Sequence, residues 1–121
     1  MNRKSMLLVT LVVLISGCAT LSESRSINVH PPSANGSQWV ISAKAETGNW
    51  DDKVTLFVNG TQAGQGILAP AYHHDVQVAG SYGQHIVIGI CSRSDGAPVT
   101  YECHVYVDGS SVGTLTWLAD G

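Results

Sequence analysis

The chain has 121 residues, 9 of them acidic and 6 basic, for a formal net charge of −3. A chain of this size builds one modest core, burying about 60–70% of its unfolded surface, so a two-domain architecture is excluded. Charged residues make up only 12%, against about 25% in ordinary soluble domains, and without clustered Lys and Arg to neutralise phosphates a nucleic-acid partner is not expected.

Arg3 and Lys4 precede an apolar run from Met6 to Ile15, which ends in Ile15-Ser16-Gly17-Cys18. A run of about ten residues is too short for a transmembrane helix, which needs about 20, and it matches the hydrophobic region of an export signal. The Ile-Ser-Gly-Cys ending resembles the lipobox of bacterial lipoproteins. The resemblance implies that residues 1–17 are a signal peptide and that Cys18 is lipidated, palmitate included, with its new N-terminus acylated. Three acyl chains exceed the two signals that stable anchoring requires. The alternative is an ordinary secretory signal with an incidental cysteine. Ala19 follows the cysteine, where Asp favours inner-membrane retention in enterobacterial-type lipoproteins. The resemblance therefore implies an outer-membrane anchor in the bacterial cell envelope, with the domain facing the periplasm. Beyond the leader the chain carries all nine acids against four bases, Arg25, Lys44, Lys53 and Arg93.

Residues 18–37 are rich in Ser, Asn and Pro and lack apolar periodicity, which reads as a lipidated flexible tether holding the domain tens of ångströms off the membrane. From residue 38 to 121 no segment has helical period. Pro and Gly punctuate a Val- and Thr-rich sequence every eight to twelve residues, an all-β signature. Seven strands are expected at about 38–45, 53–59, 61–68, 74–79, 84–92, 100–108 and 110–117. Asn59-Gly60 and Asp108-Gly109 suit two-residue type I′ hairpins, in which both central residues need positive φ. Each hairpin follows a similar strand, Gln38–Ala45 or Gln84–Cys91, so strand–loop–strand–turn–strand occurs twice. Shared hairpin chemistry or internal duplication accounts for that. The expected fold is a small antiparallel β-sandwich of about seven strands, immunoglobulin-like or transthyretin-like, with two duplicated three-stranded halves as one way to build it.

Cys91 and Cys103 remain once Cys18 is lipidated, and in an oxidising compartment such a pair is expected as a disulfide. A hairpin closed around Asp95-Gly96-Ala97-Pro98 puts them opposite each other. The same register gathers Val87, Gly89, Cys91, Tyr101, Cys103, Val105 and Val107 on one face. Ile86, Ile88, Ile90, His104 and Tyr106 lie on the other. A strand apolar on both faces asks for cover on both, and a small sandwich supplies only one layer. That leaves an apolar patch for a protein partner, unless the register slips by one or the tether or the 69–83 linker covers it.

His73, His74 and Asp75 are the only compact run of metal-ligand types, with His85 and His104 as possible neighbours. Zn or Cu(II) fits those donors, but adjacent residues on a strand point to opposite faces, and solvent-exposed histidines are the simpler account. Trp50 beside Asp51 and Asp52 reads as a polar loop anchored by one Trp, with a Ca²⁺ or sugar site as the rival. No nucleophile elbow, zinc-protease pair or phosphate loop occurs, so the protein is not expected to be an enzyme and no cofactor is implied. The run Cys103–Val112 resembles the Cys-x-Ile-x-Val-Asp-Gly ending of small membrane-associated accessory sandwiches that partner transporters, and no residue roles follow from it. The leading expectation is a lipid-anchored, non-catalytic sandwich that binds another envelope protein. The rivals are a metal- or small-ligand-binding lipoprotein and a hydrolase inhibitor presenting the loop Arg93–Pro98.

Overall fold

Alternating apolar and polar residues set the two faces of the sheet in the computed structural model, which describes residues 20–48, 50–69 and 75–119. The strands are β1 (Thr20–Glu23), β2 (Ile27–Val29), β3 (Trp39–Thr47), β4 (Asp52–Val58), β5 (Thr61–Leu68), β6 (Val76–Tyr82), β7 (His85–Ser94), β8 (Thr100–Val107) and β9 (Ser110–Leu118). They form one antiparallel sheet in the order β1-β3-β4-β5-β6-β7-β8-β9, with β2 also paired to β3. Apolar side chains at every second position fill its concave side: Ile41, Val54, Leu56, Val58, Val87, Val105 and Leu115 are all fully buried.

The sheet curls into a half-barrel whose two edges meet through side chains. Trp117 of β9 donates its indole N–H to Ser22 Oγ of β1 at 3.1 Å, and Ile27 of β2 lies against Gly113 of β9. Among the described residues no backbone pairing joins β9 to β1 or β2. The all-β antiparallel expectation therefore holds, and all seven expected strands appear within about three residues of their expected ends. The count rises to nine because the stretch read as a tether supplies β1 and β2. These are too short to show a period alone; β3 completes their hydrogen bonds. Where the edge breaks between them, Ser24 N–H donates to the Ala43 carbonyl at 2.9 Å and Ser24 Oγ accepts from Ala43 N–H at 2.8 Å. Residues 20–23 and 27–29 thus belong to the sheet and not to the expected tether.

The three-stranded units β3–β4–β5 and β7–β8–β9 repeat each other in detail. Asn59-Gly60 (φ 51° and 79°) and Asp108-Gly109 (φ 49° and 84°) both make type I′ turns. In the first unit Val40 N–H donates to Asn59 Oδ1 at 2.9 Å and Asn59 N–H donates to the Val40 carbonyl at 2.8 Å. In the second, Ile86 N–H donates to Asp108 Oδ1 at 2.8 Å and Asp108 N–H donates to the Ile86 carbonyl at 2.9 Å. A bulge interrupts each hairpin at the same place, Leu56/Phe57 and Val105/Tyr106, just beyond Leu56 opposite Gly64 and Val105 opposite Gly113. A bulge bends its strand and increases the local twist, so two of them at matched positions help roll the sheet.

Candidate functional site

The β7–β8 register is the one read from sequence, with Val87 opposite Val107, Ile88 opposite Tyr106, Ile90 opposite His104 and Cys91 opposite Cys103. Cys91 and Cys103 are buried and disulfide-bonded, Cα atoms 4.0 Å apart. Val87, Gly89, Tyr101, Val105 and Val107 share their inner face. The structure brings Ile86, Ile88, Ile90, His104 and Tyr106 together on the outer face, Ile86 57% exposed and Ile88, Ile90 and Tyr106 half-buried. Small residues flank them in β6, where Ala79 is opposite Ile88 and Ser81 opposite Ile86. No described element packs over this face. His104 closes one side, with Nε2 at 2.9 Å from Glu102 and Nδ1 at 3.0 Å from Thr114 Oγ1.

A Ser–His–Asp group sits at the turn end, where the 3-10 turn Pro32–Ala34 crosses the β8–β9 hairpin. Ser33 Oγ donates to Asp108 Oδ2 at 2.5 Å, and His85 Nδ1 lies 2.7 Å from the same oxygen. The bonds from Ser33, His85 and the Ile86 N–H hold the Asp108 carboxyl down at about 2. This is not the geometry of acyl transfer. The hydroxyl proton goes to the carboxylate, and Ser33 Oγ stands 3.5 Å from the imidazole nitrogen that already faces Asp108, so no base is placed to activate it. Trp39 packs edge-on against both Tyr82 and His85, with centroids 5.0 and 5.3 Å away. The cluster pins the segment before β3 onto the β6–β7 and β8–β9 turns.

At the opposite, loop end the interior holds a charge that composition did not point to. Asp52 is fully buried; its Oδ2 accepts from Arg93 Nη1 at 2.6 Å and from the Tyr101 hydroxyl at 2.8 Å. Gly48 N–H donates to Oδ1 at 3.3 Å, and the Tyr101 oxygen lies 2.7 Å from Thr47 Oγ1. Arg93 Nε also donates to Asp95 at 2.7 Å. Burial works against the Arg93 charge, but the Asp52 bond and the Asp52 and Asp95 charges outweigh it and raise its pKa. Burial first, and then the Asp52 carboxylate, push Tyr101 up to about 12 against the lowering bond from Thr47. Among the described residues no buried side-chain polar atom lacks a partner. The strand period carried the signal: Asp52 shares the inward parity of Val54, Leu56 and Val58, and Arg93 that of Val87, Gly89 and Cys91.

These contacts correct one expectation. The loop before β4 is anchored by Asp52, not by Trp50, which is 86% exposed. In the loop after β7, the Arg93 guanidinium is committed to Asp52 and Asp95, and residues 94–98 are exposed. Cys18, His73 and His74 lie outside the described residues, and Asp75 is exposed just before β6. His85 and His104 are not neighbours. His104 faces Ile90, five residues along β7 from His85, or about 17 Å at strand rise. Among the described residues no three His, Cys, Asp or Glu side chains are grouped to hold a metal ion. No family model, no curated protein and no solved structure matches this chain.

Proposed function

We propose that the protein is a lipid-anchored, non-catalytic component of the bacterial envelope that binds another envelope protein through the outer face of β7 and β8. The observation that supports it is the row Ile86, Ile88, Ile90 with Tyr106, apolar side chains on a wall over which none of the described elements packs. Contiguous exposed apolar surface of this kind marks interaction sites in soluble domains, and an aromatic among aliphatics is a favoured anchor. The lipobox-like leader supplies the envelope location and Cys18 as the lipidation site. In this reading the half-barrel works as a small sandwich, its two repeated units facing each other across the core. Leu56 against Gly89 and Asp52 against Arg93 support that view.

Ile88→Asp tests the reading, because the side chain points away from the core. The lipidated protein, cross-linked in intact envelopes, is expected to capture a single reproducible partner, and the variant to lose it with unchanged circular dichroism and melting temperature. Ile86→Asp, at the more exposed neighbour, is expected to act in the same direction. Recovery of abundant porins alone, or a partner retained by both variants, contradicts the reading. If Ile88→Asp and Ile86→Asp both unfold, the row is structural and the reading fails.

A further inference from the structure

Four of the six large apolar side chains that the described residues expose lie at one end of the half-barrel. Trp50 is 86% exposed, Leu21 58%, Ile67 49% and Leu118 48%. The register fixes their level. Thr20 pairs with Thr47, Thr47 with Asp52 and Asp52 with Leu68 in one row across β1, β3, β4 and β5. Leu21 and Ile67 are one residue inside that row, Trp50 is beyond it in the loop between β3 and β4, and Leu118 ends β9 opposite Thr100. Asp51 and the Glu46–Lys53 pair, 3.6 Å apart, are polar at the same level. The far end carries the hairpin turns and the Ser33–His85–Asp108 cluster.

The same row holds Thr20, the first described residue. Thr20 is two residues from Cys18, so the cysteine Cα is within about 7 Å of the Thr20 Cα however the intervening chain runs. A thioether-linked lipid on Cys18 would bring this end of the domain, and not the turn end, to the bilayer surface. Trp is the side chain best suited to that depth, with an apolar ring system and an N–H for headgroup water.

We infer that the domain sits directly on the membrane by its loop end, with Trp50 inserted at the headgroup level and Leu21, Ile67 and Leu118 around it. The occupant of this apolar rim is the lipid surface itself. This rests on the lipid-anchored reading above. It also orients the proposed docking row, which runs up the wall from Ile90 to Ile86, away from the membrane.

The lipidated protein, reconstituted into phosphatidylethanolamine–phosphatidylglycerol vesicles, gives the test. Its fluorescence is expected to be quenched by lipids brominated high on the acyl chain, and Trp50→Phe to lose most of that quenching, because Trp39 and Trp117 are buried. Labelled palmitate is followed in parallel in the wild type and in Cys18→Ser. Palmitate on Cys18 with no quenching assigned to Trp50 overturns the seating and leaves the anchor standing. Palmitate absent from the wild type overturns the anchor and the seating with it.

Discussion

The carboxylate of Asp52 in β4 and the guanidinium of Arg93 in β7 meet at 2.6 Å across the interior of the half-barrel, 41 residues apart in sequence. The pair ties the two repeated units together at the loop end, and Tyr101 and Thr47 complete its hydrogen bonds. Removing Arg93 leaves the fully buried Asp52 carboxylate without a counterion, which costs about 3–5 kcal/mol in such sites. Arg93→Ala is therefore expected to lower the urea midpoint sharply, and Asp52→Ala to lower it less, because Arg93 keeps Asp95. The double variant Asp52→Leu with Arg93→Met is expected to recover much of the Arg93→Ala loss, because no buried charge is then stranded. Equal stability of Arg93→Ala and wild type in urea titrations would show that the pair is dispensable.

The disulfide closes a separation of 12 residues inside the core. On the chain-entropy account a loop of that size contributes about 3 kcal/mol. Replacing both Cys91 and Cys103 by Ala is expected to lower stability by that order while leaving the β-sheet circular dichroism in place, since Val87, Val105 and Leu115 still fill the same layer. Comparison of the denaturation curves of the oxidised wild type and the double variant measures it.

Two groups give opposite pH dependences. Asp108 sits at about 2, below its ordinary 3.8. Its contribution is complete above about pH 4 and falls away as pH drops towards 2. Asp108→Asn is expected to be less stable than wild type near neutrality and to converge with it over that interval. Tyr101 sits at about 12, above its ordinary 10.0. Its contribution is complete below about pH 10 and is lost as pH rises from there towards 12. Ultraviolet titration is expected to show a late-ionising phenol that Tyr101→Phe removes.

The strands, both type I′ turns and the β7–β8 register were legible because each rests on local chemistry: period-two alternation, Asn-Gly and Asp-Gly pairs, and two cysteines equidistant from Ala97 in the loop between them. β1 and β2 were not. Leu21, Ile27 and Val29 are spread among serines and become strands only when β3 supplies their hydrogen bonds. The roll of the sheet depends on bulges at Leu56/Phe57 and Val105/Tyr106, and residue type alone does not reveal these. The outer row Ile86, Ile88, Ile90 and Tyr106 followed directly from register. The Asp52–Arg93 pair required a long-range meeting of two inward positions, and Ser33 required a fold for a segment with no periodicity of its own.

Site-specific photo-cross-linking reports directly on whether the outer face of β7 and β8 is a protein contact, as proposed. A photoreactive residue at position 88 is expected to give one discrete adduct in intact envelopes. The same residue at position 44, four strands away on the outer face, is expected to give none. Adducts of equal yield from both positions, or no adduct from position 88 in a folded and anchored protein, would contradict the account.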